Sequence, residues 1–153
     1  MAAVTEKRFR QPVELDSDRK ERLARLLRER LSSLPVILFA YVHGSFVKSK
    51  AARDIDLAIF VKGKGGLFFE SDLSAELGQA CSFEVEARVI NDAHVSFQMA
   101  VLRDGILLFS RDEVKRTDFI EDVGRRYREY AHFRNVFLGV DGVRFRYRQD
   151  QEK

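Results

Sequence analysis

Residues 36–60 read VILFAYVHGSFVKSKAARDIDLAIF. From Val36 to Val42 the run is apolar on both faces, as a central strand must be. It breaks at Gly44-Ser45, and a short basic segment follows. From Asp54 to Lys62 the pattern alternates strictly. Ile55, Leu57, Ile59 and Val61 take one face, and Asp54, Asp56, Ala58 and Phe60 the other. Acidic residues are unfavourable in strands on propensity alone. A turn at the start of the strand accounts for one Asp more readily than for two on the same face.

The break has chemistry of its own. A Gly permits a tight turn and close approach of the backbone to a ligand. A strand passing through such a turn into a helix can cradle phosphate. Ser45 would either cap that helix or bond a phosphate oxygen. Lys48 and Lys50 are expected near the helix start, where the dipole favours anions, so basic residues there imply a bound anion. With two carboxylates on the next strand, the stretch reads as a site for a nucleoside triphosphate and Mg²⁺. His43 ends the first strand, where packing or solvent explains a lone histidine more readily than ligand binding.

Outward from this stretch, Leu23, Leu26, Leu27 and Leu31 form a helical stripe, with Asp18 and Glu21 as a capping box. Pro35 cannot continue that helix. Gly63-Lys64-Gly65-Gly66 has neither Walker nor dinucleotide spacing. A helix is expected over residues 71–80, with Leu73 and Leu77 inward. The third strand covers residues 82–90. It puts Val85, Ala87 and Val89 on one face and Glu84, Glu86 and Arg88 on the other. Either glutamate could join Asp54 and Asp56, and spacing does not choose between them. Arg88 could neutralise either one. A helix over residues 94–102, a strand over 106–109 and a last helix ending near Val136 follow. That last helix carries the stripe Phe119, Val123, Tyr127, Tyr130 and Phe133.

With 153 residues, 45% hydrophobic and 33% charged, the chain is long enough for one domain with a real core. Residues 1–15 are expected to be a flexible arm, 16–138 the domain, and 139–153 a basic aromatic tail. Residues 125–153 hold eight Lys/Arg and four Asp/Glu, so the charge of the whole chain, +3, is concentrated at its end. That end could face nucleic acid or an acidic partner, although no nucleic-acid motif accompanies it. The single Cys81 excludes an internal disulfide, and no Cys/His pair has zinc spacing. The start of the chain has no apolar signal region, and no run approaches membrane length. A cytoplasmic protein is expected.

The segment from His43-Gly44-Ser45-Phe46 through Arg53-Asp54-Ile55-Asp56-Leu57 resembles the signature of the nucleotidyltransferase superfamily related to DNA polymerase beta. Within it, the chain is similar to the minimal nucleotidyltransferases, small single-domain members that include MntA-type antitoxins. The specific match covers residues 44–56, and a looser one runs from about 36 to 110. The resemblance implies an α/β (α+β) polymerase beta palm-like fold, with a small mixed sheet and helices on one face. It assigns Gly44, Ser45 and Lys48 to the nucleotide, and Asp54 and Asp56 to metal. The family's third carboxylate stands four residues before a Leu and five before an Asn. Ile90 and Asn91 fill those places, which points to Glu86 as the third catalytic and metal-binding residue. Departures are Glu86 in place of Asp, Ser49 in place of a frequent Gly, and a gap from Ser45 to Asp54 two residues shorter than in many relatives.

The resemblance also implies a reaction. It is Mg²⁺-dependent transfer of a nucleoside monophosphate, AMP from ATP, to a hydroxyl acceptor, with two Mg²⁺ ions. The acceptor would be a tyrosine of a HEPN-domain toxin encoded nearby, which makes the chain its antitoxin. Two other readings compete. One is a non-catalytic module that neutralises its partner by contact through Arg144 to Arg148. The other is nucleotidylation of a small hydroxyl compound such as an aminoglycoside, for which the chain looks too short to build a substrate domain.

Overall fold

A computed structural model describes residues 11–138. In chain order they form β1 (Val13–Glu14), α1 (Ser17–Ser32), β2 (Ile37–His43), α2 (Ser45–Lys48), β3 (Ala51–Ala52), β4 (Ile55–Val61), α3 (Phe69–Cys81), β5 (Val85–Val89), α4 (Val95–Asp104), β6 (Ile106–Ser110) and α5 (Glu113–Leu138). Four strands make the expected mixed sheet, in the order β5-β4-β2-β6. β2 is antiparallel to β4 and β6, while β5 runs parallel to β4. The parallel pair needs a crossover, and α3 supplies it.

The two-faced apolar run of β2 sits between β4 and β6, where both of its faces are covered. Ile37, Ala40 and Val42 join Ile55, Leu57, Ile59 and Val61 in one core, packed with Leu23, Leu27 and Leu31 of α1 and Leu73 and Leu77 of α3. Phe39 and Tyr41 join Ala58 in a second core on the opposite face, with Val101 of α4 and Phe119 and Val123 of α5. Helices also cover the opposite face, where the expectation had them on one: α4 and α5 pack on it. Ala58 and Phe60 share that face with Asp56, and their apolar side chains need the cover that the carboxylates do not.

The start of the domain also differs. Residues 13–15 were expected in a flexible arm, yet Val13 and Glu14 pair with Ala52 and Ala51. Leu15 is buried, and its N–H donates to the Lys50 carbonyl at 2.8 Å. The cap of α1 is Asp16 rather than Asp18, its carboxylate accepting from Arg19 N at 2.7 Å. Residues 1–10 of the arm and the 139–153 tail lie outside the described residues.

Side chains lock the connections. Arg111 donates to the carbonyls of Ile37 (2.7 Å), Ser32 (2.6 Å) and Leu34 (3.2 Å), bracketing the link from α1 to β2. Gln98 is fully buried. Its Nε2 donates to Ile90 O at 2.8 Å, and its Oε1 accepts from Arg126 of α5 at 2.7 Å. One amide thus ties α4 and α5 to the end of β5. At the sheet edges, Ala40 pairs with Phe109 and Tyr41 with Leu107, leaving Leu108 of β6 unmatched as a bulge. Its carbonyl accepts from Arg28 Nε at 2.7 Å. On β5, the Ala87 N–H donates to Ser74 Oγ at 2.9 Å. Among the described residues no helix is long and apolar enough to cross a membrane.

Candidate active site

β2 and β4 are antiparallel, so the end of one meets the start of the other, and His43 pairs with Asp56. β5 runs parallel beside β4, with Glu86 opposite Asp56. This register resolves the choice that spacing leaves open. The Glu84 carbonyl accepts from Ile55 N at 2.8 Å ahead of the strand, while Glu86 stands level with Asp56. Asp54, Asp56 and Glu86 each offer a carboxylate oxygen, and these atoms lie within 4.8 Å of one another. Asp54 is buried, just before β4, and the other two are half-buried. Mg²⁺ takes hard oxygen donors at short range and keeps several waters and substrate oxygens. The donor set and its compactness fit such an ion.

Gly44 joins this cluster directly. Its φ is +76°, and a β-carbon there would overlap Asp56 Oδ2. Only Gly supplies that backbone shape and that closeness without strain. Ser45 opens α2 but does not cap it; Gly44 occupies the cap position, and no side chain caps this helix. Lys48 is placed differently from expectation. It ends the four-residue α2 rather than standing near its start, and its Nζ meets Asp104 Oδ2 at 3.4 Å. The expected dipole relation therefore does not hold.

The inner wall of the site comes from α4, and sequence reasoning missed it. Phe97 lies edge-on to His43, with ring centroids 5.5 Å apart, and the Arg88 guanidinium sits 4.7 Å over the Phe97 ring. Burial and the Arg88 charge hold the His43 imidazole below its usual range, with Glu86 and Asp54 pulling the other way. His43 Nε2 is buried and finds no hydrogen-bond partner among the described residues. Arg88 is exposed and forms no ion pair among them. A hint was present in sequence: Arg88 shares the alternation of Glu86. Two hollows, of 220 and 190 Å³, lie elsewhere. The first is behind the sheet near Phe46 and Arg28, and the second is by the Gly63–Gly66 loop. Neither is lined by a carboxylate of the cluster.

Comparison with known proteins gives the family and the fold. The family described as Polymerase beta, Nucleotidyltransferase matches residues 26–114. No curated protein matches the sequence. Among solved structures, the chain is similar to one of a tri-AMPylated Shewanella oneidensis HEPN toxin in complex with MNT antitoxin, at 18% identity and a TM-score of 0.62, covering 82% of this chain and 97% of that one. It is similar to the toxin-antitoxin MntA-HepT at 17% identity and a TM-score of 0.61, covering 81% and 97%. A toxin-antitoxin structure with AMP-PNP matches at 18% identity and a TM-score of 0.61, covering 82% and 97%. At these identities the structures speak for the fold, and the family match spans more than half of the sequence. The chain belongs to the polymerase beta nucleotidyltransferase family.

Proposed function

We propose that the chain is a Mg²⁺-dependent nucleotidyltransferase that moves AMP from ATP to a hydroxyl acceptor, a tyrosine of a HEPN-type toxin partner, and so acts as an antitoxin. The observation that carries this reading is the convergence of Asp54, Asp56 and Glu86 within 4.8 Å beside the Gly44-Ser45 turn. The similar structures of an AMPylated HEPN toxin with MNT antitoxin, and of a toxin-antitoxin with AMP-PNP, support the acceptor and the nucleotide.

Asp54, Asp56 and Glu86 would hold Mg²⁺, two ions in the full site, which supplies charge stabilisation at the attacking and leaving oxygens. Gly44 lets the backbone approach the phosphates, and the Ser45 hydroxyl would donate to a phosphate oxygen. The acceptor oxygen forms a bond to the α-phosphorus. The bond from that phosphorus to the bridging oxygen breaks, and pyrophosphate leaves with the electron pair. Glu86 takes the acceptor proton. Lys48 would offset phosphate charge after leaving Asp104, a solvent-screened contact.

The test is to incubate the chain with labelled ATP, Mg²⁺ and a HEPN-domain partner, in parallel with Asp54→Ala/Asp56→Ala. Label on the partner that is lost in the double variant supports the enzyme. Neutralisation that survives the substitutions without label would make the chain a contact inhibitor instead.

A further inference from the structure

The sheet order puts the phosphate turn and Arg88 on opposite sides of Asp56. Gly44 and Ser45 follow β2, on one side of β4. Glu86 and Arg88 belong to β5, on the other side, roughly 10 Å from β2 at ordinary strand spacing. Arg88 is two residues beyond Glu86 on the same face, in register with Ala58. Ala58 is small and fully buried, and Phe97 reaches from α4 to touch both flanks, Arg88 on β5 and His43 on β2. The result is a flat aromatic ring with a guanidinium laid over it at 4.7 Å, beside the third carboxylate and away from the phosphate turn.

A guanidinium held over a ring has its planar edge of donors left to use, and Arg88 gives none of them to a carboxylate among the described residues. Lys48, the other cation expected at the site, reaches Asp104. Resting on the nucleotidyl-transfer reading, we infer that Arg88, positioned by Phe97, is the acceptor-binding residue and selects a phenolic hydroxyl. A phenol ring can pack against the Phe97–Arg88 lip while its oxygen accepts from the guanidinium. Its unperturbed pKa is about 10, close enough for a fixed cation to favour the ionised, attacking form. An aliphatic hydroxyl offers no ring to pack and ionises far less readily. Phe97 is a positioning residue, since it acts through Arg88.

The test uses the full chain with labelled ATP and Mg²⁺, and with N-acetyl-tyrosine amide or N-acetyl-serine amide as acceptor. Wild type is compared with Arg88→Gln, Arg88→Lys, Phe97→Leu and, as a distant exposed control, Arg25→Gln. The tyrosine compound should be labelled in preference to the serine one. Arg88→Gln should raise the acceptor KM by roughly 10- to 100-fold, the weight of a charge-assisted hydrogen bond, with ATP binding unchanged. Its rate should also need higher pH, because Glu86 must then take the proton from a phenol that no fixed cation acidifies. Lys should restore part of the loss, Phe97→Leu should fall between, and Arg25→Gln should match wild type. An Arg88→Gln variant that weakens ATP as much as the acceptor, or alters neither, overturns the assignment, as does equal labelling of serine and tyrosine compounds. A wild-type chain that labels neither compound and no HEPN partner overturns the transfer reading itself, and the inference with it.

Discussion

The backbone at Gly44 passes so close to Asp56 that a β-carbon on Gly44 would overlap the Asp56 carboxylate oxygen. Gly44→Ala should therefore do two things at once. A positive φ for a residue with a side chain costs about 1–3 kcal/mol, which thermal melting will read. The added methyl also pushes the Asp56 carboxylate out of the cluster, so titration calorimetry with Mg²⁺ and a non-hydrolysable ATP analogue should show binding lost while circular dichroism keeps the native shape. Native binding with a native melt would disprove the coupling between turn and carboxylate.

The register of β4 and β5 separates the two glutamates. Glu86 stands opposite Asp56 within the cluster, and Glu84 precedes the strand. Glu86→Gln should lower transfer by about 10²- to 10⁴-fold, the usual range for a lost proton acceptor. Glu84→Gln should leave most of it. Single-turnover assays with labelled ATP decide between them, and the reverse order would reject the assignment.

Gln98 is the buried amide that joins β5, α4 and α5. Gln98→Leu leaves buried carbonyls unanswered and frees Arg126, for an expected loss of about 1–3 kcal/mol in urea unfolding. Arg126 and Arg125 also hold Asp122, and their hydrogen bonds keep its carboxyl below the usual range. A lowered folded-state pKa means that Asp122 stabilises above its unfolded value and loses that contribution as pH falls through the folded one. The melting difference between wild type and Asp122→Asn should thus be present at pH 7 and vanish in strong acid.

Cys81 ends α3 in the core, and burial raises its thiol pKa. The thiolate is the reactive form. Ellman's reagent at pH 8 should label the native chain slowly and the urea-unfolded chain at once. Rapid labelling of the native protein would place the end of α3 outside the core.

Much of this was legible before any coordinates. Strict alternation from Ile55 to Val61 gave β4 its faces, and an apolar run from Val36 to Val42 gave the sheet its centre. Both are period-two signals that burial enforces. The resemblance named Glu86, and register confirms its position beside Asp56. What local pattern could not show depended on contacts far apart in sequence. Phe97 reads as one apolar residue in a helix, and only the α4 crossing lays it against Arg88 and His43. Gln98 is a polar residue with no signal in the local pattern, and it is wholly buried because three elements supply its partners. Lys48 was misplaced because α2 is one turn long, so its last residue was mistaken for one near its start.

The edges of the sheet have a bearing on company. β6 carries, within its ladder, a bulge whose carbonyl Arg28 occupies, and on β5 the Ala87 N–H is taken by Ser74. Strand addition needs an uninterrupted row of donors and acceptors along a margin. Here each margin is interrupted from within the same chain. Among the described residues, another polypeptide therefore meets no uninterrupted template for lengthening the sheet, and side chains at the carboxylate rim and along the helices are left to decide what this molecule will recognise.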